Sequence, residues 1–251
     1  MYKGKRIGVI IIAYNAEKTL EDTVALVPRD LVDYLVICDD GSTDRTREIG
    51  IFLGIDTFSH EKNKGAGANT ARGFDIMLKR GDVDIVGLLH GDNQYDPARL
   101  PAVIDPIADG QCDMVLGERV DWRKGKMPLY KQCGNNFLTL VQNLVFRQRL
   151  ADYATGYKAF TIEVLKVINF RENKNNFEFD PQINVQAIRH GFRIRNVAVP
   201  TKYFAEASSV SFSKSVLYGY QTLKATFSYL LHTMGFRFPF LERLFKRAAN
   251  A

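Results

Sequence analysis

Three clusters of polar residues, each following an apolar run, have side chains that could bind a ligand or a metal ion. They are Tyr14-Asn15-Ala16-Glu17, Asp39-Asp40-Gly41-Ser42 and His90-Gly91-Asp92, and Gln94 closely follows the third. The side-chain oxygens of Asp92 and Gln94 are hard donors of the kind that Mg²⁺ and Mn²⁺ prefer. Carboxylates repel a bare phosphate, but they accept hydrogen bonds from a ribose or a base. The clusters therefore predict a site for a nucleotide diphosphate carried with a divalent cation.

Alternating strands and helices would bring these clusters together. Apolar, β-branched runs predict strands at Arg6–Ala13, Tyr34–Cys38, Ile55–Ser59, Ile85–Leu89 and Met114–Gly117. Helical patterns at 18–27, 45–53, 70–79 and 98–108 lie between or after them. This alternation predicts an α/β fold with a mostly parallel central sheet flanked by helices. Because ligands of such sheets bind at the carboxyl ends of the strands, we expect the three clusters to converge.

The composition narrows the class of protein. The chain has 251 residues, is 46% hydrophobic and carries a net charge of +6, which favours anionic partners such as nucleotides, phosphorylated substrates or anionic membranes. Nucleic acid binding would rest on charge alone, and we do not expect it. The scattered Cys38, Cys112 and Cys133 argue against disulfides and structural zinc and indicate a reducing cytosol. No apolar run is long enough to predict a transmembrane helix, so we expect any membrane contact to be peripheral.

The clusters belong to an ordered series of motifs. These motifs are Ile11–Glu17 (similar to I-P-A-Y-N-E-E), Asp39–Thr46 (D-D-G-S-x-D-G-T), Asn63–Asn69 (N-x-G-x-G-x-A), His90–Pro97 (D-A-D-G-Q-H-D-P), Val115–Arg119 (V-x-G-S-R) and Thr155–Phe160 (S-G-Y-R-A-F). In this order, over residues 6 to about 205, they resemble family 2 glycosyltransferases. The specific resemblance is to the dolichol-phosphate-mannose-synthase-like branch, the polyprenyl-phosphate glycosyltransferases.

The resemblance implies a GT-A fold, a Rossmann-like nucleotide-sugar-binding fold. It also implies a metal-dependent, inverting transfer of a sugar from a nucleotide-diphosphate sugar to a polyprenyl phosphate such as undecaprenyl or dolichyl phosphate. The donor pocket implied by position consists of Ala13, Tyr14, Asn15, Glu17, Asp39, Asp40, Lys64, Gly65, Gly91 and Asp92. The implied ligands of Mg²⁺ or Mn²⁺ are Asp92 and Gln94. The implied contacts of the acceptor phosphate are Arg119, Arg123, Lys126 and Lys131, and Lys202 would close over the donor phosphates.

The expected catalytic residues follow from charge. A prenyl phosphate is already anionic and needs no strong general base, so Asp92 with its metal, Arg119 and Lys202 would act by relieving repulsion from the donor diphosphate. An alcohol acceptor would require a carboxylate base, for which Asp152 and Asp96 are candidates. Each has a structural alternative, Asp96 as a helix cap and Asp152 as support for the turn that follows it. His90, at the first D-x-D position, either binds metal or packs at the strand end, and we favour packing.

We predict a GT-A catalytic domain over residues 1–210 and a C-terminal amphipathic helical segment over residues 211–251, without a transmembrane helix. The segment either packs on the domain or a second subunit, in a homodimer, or lies on a membrane surface. The expected location is the cytoplasm, with a peripheral position on the cytoplasmic membrane face as an option, in cell-envelope synthesis.

Other functions stay open. One alternative keeps the donor chemistry but uses a non-lipid acceptor in polysaccharide or glycoconjugate synthesis. Another is a non-catalytic nucleotide-sugar-binding domain. A sugar nucleotidylyltransferase is disfavoured, because it would carry a basic, glycine-rich loop after the first strand, where this chain has the acidic cluster ending in Glu17.

Overall fold

Seven strands form one sheet in the part of the chain that the structure describes, a computed structural model covering residues 1–120, 129–201 and 212–248. The strands are β1 Ile7–Ala13, β2 Tyr34–Asp39, β3 Asp56–Ser59, β4 Ile85–His90, β5 Met114–Arg119, β6 Lys158–Thr161 and β7 Ile194–Val199. Their order across the sheet is β3-β2-β1-β4-β6-β5-β7. Only β6 runs antiparallel to its neighbours among these strands. The predicted mostly parallel α/β sheet is confirmed.

Helices lie on both faces of this sheet. They are α1 Leu20–Ala25, α2 Thr46–Phe52, α3 Ala66–Arg80, α4 Leu100–Ala108, α5 Leu129–Phe146, α6 Ile162–Val167, α7 Phe179–Arg189, α8 Phe212–Thr233 and α9 Pro239–Phe245. The amphipathic pattern of Leu129–Phe146 predicts a helix over these residues, and α5 has the same bounds. One prediction was wrong: α3 begins at Ala66 rather than Thr70. The predicted C-terminal helical segment consists of two helices, α8 and α9, which are divided near Gly235. Gly235 has a φ of 95°, a left-handed conformation that ends α8.

The alternation of side chains along β1 creates a core on each face. Ile7, Val9 and Ile11 point into one apolar cluster with α1 and α4, whereas Ile10 and Ile12 point into the other with α3, α5 and α7. All seven residues of β1 are buried, as expected for a central parallel strand. The second cluster also contains apolar side chains of α8 and α9. The inner side of the C-terminal helices therefore packs against the sheet-bearing part of the chain.

Candidate active site

The strand register aligns the three polar clusters at one edge of the sheet. Ala13 of β1 lies opposite Asp39 of β2, and Ile12 lies opposite His90 of β4. The amide of Gly91 donates to the carbonyl of Ile12 at 2.9 Å. The three clusters thus leave the sheet side by side, which confirms the predicted convergence.

The loops after β1 and β2 are joined by hydrogen bonds. The Asn15 amide donates to Ser42 Oγ at 2.8 Å, and the Asn15 side-chain oxygen accepts from the Thr43 amide at 3.0 Å. Asn15 itself has a φ of 49°, a left-handed conformation that asparagine tolerates better than most residues. With these hydrogen bonds in place, the neighbouring Tyr14 side chain is half exposed at the sheet edge. The first two clusters therefore form one structural unit.

Glu17 and Asp44 connect the same loops to the start of α2. Asp44 accepts hydrogen bonds from the amides of Thr46, at 3.0 Å, and Glu17, at 3.1 Å. Burial opposes ionisation of Asp44, but the hydrogen bonds from Thr46 and the Glu17 amide outweigh it and lower the pKa. The Glu17 carboxylate in turn accepts from the Arg45 amide at 3.2 Å. These acidic residues organise the loop, and the Glu17 carboxylate remains partly exposed.

Asp39 and Asp40 are buried and hold backbone in place. Asp39 accepts from the amide of Ser42 at 3.2 Å and also from its hydroxyl. The two carboxylate oxygens of Asp40 accept from the amides of Lys64 and Gly65, both at 2.9 Å. Because Asp40 fixes the loop that enters α3, it shapes the predicted donor pocket through Lys64 and Gly65.

The glycines of this loop are required by chain packing. Gly65 has a φ of 98°, and a Cβ on it would collide with the Asn175 carbonyl oxygen. The amide of Gly67 donates to the same oxygen at 3.0 Å. The Gly-x-Gly pattern therefore lets the start of α3 approach the chain before α7. It offers no support for a phosphate-cradling loop of the dinucleotide type.

The loop after β4 presents the candidate metal ligands. Asp92 Oδ1 accepts from the Gln94 amide at 3.1 Å, and Asn93 between them has a φ of 55°. Asp92 and Gln94 are both partly exposed, and the Asn93 side-chain oxygen is buried without a hydrogen-bond partner. Over residues 1–120, 129–201 and 212–248, no group of three His, Cys, Asp or Glu side chains could hold a metal ion. One carboxylate with amide oxygens fits a hard cation only if the nucleotide supplies further ligands.

His90 packs at the end of β4. A Cβ on Gly156 would lie 2.5 Å from His90 Nε2, so the imidazole rests directly on that glycine. The ring also lies edge-on to Tyr95, with 6.2 Å between centroids. Asp96 accepts from the Ala98 amide at 3.0 Å, which confirms its interpretation as a helix cap. The contacts of His90 agree with the packing interpretation.

Arg119 and Asp152 form a largely buried ion pair at the end of β5. Arg119 Nε and Nη2 donate to the two Asp152 oxygens at 2.8 and 3.2 Å. Asp152 Oδ1 also accepts from the Ala154 amide at 2.9 Å. Both carboxylate oxygens are thus engaged, which supports a structural role for Asp152 and weighs against its use as a general base.

A small polar cleft, with a cavity volume of about 10 Å³, borders this ion pair. Its lining residues are Arg119, Gln132, Asn135, Asn136, Thr139, Ala151 and Asp152. Lys131 is partly buried in the first turn of α5, next to Gln132. Arg123, Lys126 and Lys202 lie outside the described residues. Thr201, the last described residue before that segment, forms an antiparallel bridge with Tyr95.

Lys158 and Tyr218, which do not line the cleft, were not predicted as site residues. Lys158 is 1% exposed, and its ammonium group donates to Asp180 at 2.6 Å. Burial, followed by the nearby charge of Asp180, raises the pKa of Tyr218. The sequence signals for Lys158 were its place in the Thr155–Phe160 motif and its position beside apolar residues, where a lysine is rarely buried without a partner.

These features coincide with those of a known enzyme family. Residues 8–169 match the sequence model of Glycosyl transferase family 2. This match covers more than half of the chain, and the protein belongs to that family. The chain is therefore a glycosyltransferase, and its mixed α/β fold is the GT-A fold.

The comparisons also identify relatives and structural neighbours. The chain is 28% identical to the UDP-N-acetylglucosamine–dolichyl-phosphate N-acetylglucosaminyltransferase of Methanococcus voltae, covering 88% of this chain and 96% of the relative. It is 26% identical to the dolichyl-phosphate hexose transferase of Haloferax volcanii, covering 84% and 92%. Glucosyl-3-phosphoglycerate synthase of Mycobacterium tuberculosis, solved with UDP, superposes with a TM-score of 0.70 at 18% identity, covering 94% and 82%. The resemblance to the polyprenyl-phosphate branch is confirmed by these relatives.

Proposed function

We propose that this enzyme transfers a sugar from a nucleotide-diphosphate sugar to a polyprenyl phosphate, with inversion at the anomeric carbon. The observation that carries the proposal is the division of one sheet edge. The acidic loops after β1, β2 and β4 lie on one side, and the cleft beside Arg119 lies on the other. The acidic side suits a donor carried with a cation, and the Arg119 guanidinium, which is paired with Asp152, is the cation that borders the cleft proposed for an anionic acceptor. The two dolichyl-phosphate relatives support the same acceptor class.

On the donor side, the proposed roles follow from exposure and contacts. Tyr14, which is half exposed beside the hydrogen bond between Asn15 and Ser42, would contact the nucleoside. Asp40 would act indirectly by holding the loop at Lys64. Asp92 and Gln94 would hold Mg²⁺ or Mn²⁺ together with the diphosphate, and the cation would stabilise the leaving nucleotide diphosphate. A structural neighbour was crystallised with Mn²⁺ and UDP, which supports a divalent cation for this fold.

On the acceptor side, a phosphate oxygen would attack the anomeric carbon. The new bond joins that carbon to the phosphate, and the electron pair of the broken bond leaves with the nucleotide diphosphate. No proton has to be removed, because the phosphate monoester is already ionised at neutral pH. The protein must instead bring two anions together, and the Arg119 guanidinium, held in position by Asp152, borders the cleft where this would occur. Lys202 is proposed to assist at the donor phosphates.

A labelled-sugar transfer assay tests the proposal. Uridine- and guanosine-diphosphate sugars with an isotopic label would be offered, with Mn²⁺, to undecaprenyl or dolichyl phosphate, and extracted lipid would be analysed by mass spectrometry. We expect a sugar–phosphate–lipid product. Asp92→Asn should reduce its formation at least about 100-fold, while Asp96→Asn, in the same loop but serving as a cap that asparagine can replace, should remain close to the wild type. Donor hydrolysis without any glycolipid would contradict the lipid acceptor.

A further inference from the structure

Residues 173–178, the segment before α7, lie against the loop of residues 63–67, which is called the donor loop because the proposed function assigns the donor to it. The amide of Gly67 donates to the carbonyl oxygen of Asn175 at 3.0 Å, and a Cβ on Gly67 would lie 2.8 Å from the Asn175 carbonyl carbon. Asp40 holds the donor loop from its other side by accepting from two of its amides. Since the two backbones are in direct contact, a shift of the donor loop must also shift residues 173–178.

Hydrogen bonds continue this contact from residues 173–178 to α8. The Lys174 amide donates to Gln182 Oε1 at 2.8 Å, and Gln182 Nε2 donates to Glu178 Oε1 at 3.3 Å. The same oxygen of Glu178 accepts from Lys224 Nζ of α8 at 2.9 Å. Because Glu178 is only 7% exposed, its carboxylate requires such partners. The segment before α7 is therefore joined to the donor loop at one end and to α8 at the other.

The two halves of α8 are held by different kinds of contact. In the first half the buried residues include Gln221, Thr222 and Thr226, and Gln221 Oε1 has no hydrogen-bond partner among the described residues. In the second half the Tyr229 ring lies 5.0 Å from the ring of Phe146. Neither α8 nor any other described helix is long and apolar enough to cross a membrane. Because aromatic contacts favour packing and buried polar atoms without a partner oppose it, the position of the first half depends on its ion pair with the segment before α7.

This first half of α8 lies beside the cleft proposed for the acceptor phosphate. A Cβ on Gly219 would lie 3.8 Å from Leu138 of α5, the helix that lines one side of the cleft. Burial is the main cause of the raised pKa of Tyr218, in the second turn of α8, and the charges of Arg119 and Asp152 at the cleft also act on it. The contacts thus form a continuous path from the donor loop to the cleft.

We propose that Glu178 is a positioning residue that couples occupancy of the donor loop to the position of α8 beside the cleft. This inference rests on the proposed function, which assigns the donor to the loop and the acceptor to the cleft. A bound donor favours the arrangement in which Glu178 holds Lys224, and this arrangement keeps the first half of α8 against α5 at the cleft. Because such coupling is reciprocal, an acceptor in the cleft raises the affinity for the donor by the same factor.

Hydrogen exchange followed by mass spectrometry tests the coupling without any acceptor. The full chain would be compared with and without UDP or GDP, each with Mn²⁺. In the wild type we expect slower exchange in the donor loop and, by about fivefold or more, in residues 212–226. Lys224→Met and Glu178→Gln should each keep the first effect and lose the second, and Lys224→Arg, which retains the charge, should restore it. The control Lys166→Met removes an ion pair of similar length and exposure from α6 and should match the wild type.

Calorimetry with a short, water-soluble prenyl phosphate provides a second measurement. In the wild type and in Lys166→Met, the nucleotide that protects the donor loop should raise the affinity for the prenyl phosphate about fivefold or more. In Lys224→Met the nucleotide should change this affinity less than about twofold. A variant that was merely less stable would lower both affinities and leave their ratio unchanged.

Other outcomes would overturn the inference. Protection confined to the donor loop in the wild type would refute the coupling, and equal protection of residues 212–226 in Glu178→Gln and the wild type would exclude Glu178 as its carrier. Both results would leave the proposed function intact if the labelled-sugar assay yields a glycolipid. Absence of transfer by the wild type, with nucleotide-dependent protection of α8 present, would instead refute the lipid acceptor alone.

Discussion

Replacing Gly67 with alanine would test the packing that shapes the loop before α3. A Cβ at this position would lie 2.7 Å from the carbonyl oxygen of Lys174, and 2.8 Å from both the carbonyl carbon of Asn175 and the Cβ of Phe179. None of these atoms can move by rotating a side chain. The backbone before α7 would have to separate from the first turn of α3.

The size of the effect can be estimated against a matched glycine. Forcing extra carbon into a packed site costs about 1–3 kcal/mol. Replacing a helical glycine by alanine favours folding by about 0.5–1 kcal/mol. A Cβ on Gly134 in α5 would have no neighbouring atom within 4 Å, so Gly134→Ala gains only the second effect. The difference between the two variants therefore isolates the clash, and each kcal/mol corresponds to about 2–4 °C in Tm for a chain of this size.

Urea denaturation followed by circular dichroism would measure both variants. Gly134→Ala should unfold at slightly higher urea than the wild type, and Gly67→Ala at clearly lower urea. Because Asp40 binds the amides of Lys64 and Gly65, a shifted loop should also weaken stabilisation by UDP with Mn²⁺ in a thermal-shift assay. If the two midpoints moved together, in either direction, the close approach at Gly67 would be refuted.

Three further predictions concern charge. Asp180→Asn should lower the free energy of unfolding by about 3 kcal/mol because it leaves the Lys158 ammonium buried without a carboxylate. Lys158→Met should lower it by less, because Asp180 reaches solvent. Urea titration of both variants measures the two losses, and a larger loss for Lys158→Met would contradict this reasoning. Burial, then nearby arginines, lowers the pKa of His190 and His232. The unfolded chain therefore binds more protons at these sites, and stability should be full above the unfolded value near 6.5 and fall as pH drops below it. Urea midpoints from pH 8 to 5 should show this loss, and a His190→Asn/His232→Asn variant with the same slope would exclude these residues as its source. Calorimetry should find weak Mn²⁺ binding without nucleotide and stronger binding with UDP. Tight binding to the protein alone would contradict the proposed ligand set, in which Asp92 is the one carboxylate and Gln94 adds an amide oxygen.

Local patterns predict much of this fold because strands and helices have different periodicities. The apolar run of β1 and the amphipathic repeat of α5 predict these two elements from neighbouring residues alone. The start of α3 could not be predicted in this way. Gly65 and Gly67 suggest a loop, yet Gly67 is helical because Asn175, far along the chain, lies against it.

In the candidate site, too, some features follow from local sequence and others depend on contacts between distant parts of the chain. The convergence of the strand-end clusters follows from the geometry of a parallel sheet, so their sequence positions suffice. The pairing of Arg119 with Asp152 depends on how the turn before β6 folds back onto β5, and no local pattern encodes it. The sequence therefore suggested separate roles for two residues that form one ion pair. The antiparallel direction of β6 was likewise not predicted.

The position of β6 between β4 and β5 has a consequence for biosynthesis. β5 pairs only with β6 and β7 in this sheet, and both follow it in the chain. A ribosome adds about 5–20 residues per second, so the edge of β5 that receives β7 waits roughly 4–16 seconds for its partner. During that time β1, β2 and β3 already have the partners they need, whereas Met114–Arg119 is an exposed, aggregation-prone edge. The part of the sheet made by β1, β2 and β3 can thus form early on the ribosome, and the part bearing Arg119 is completed last.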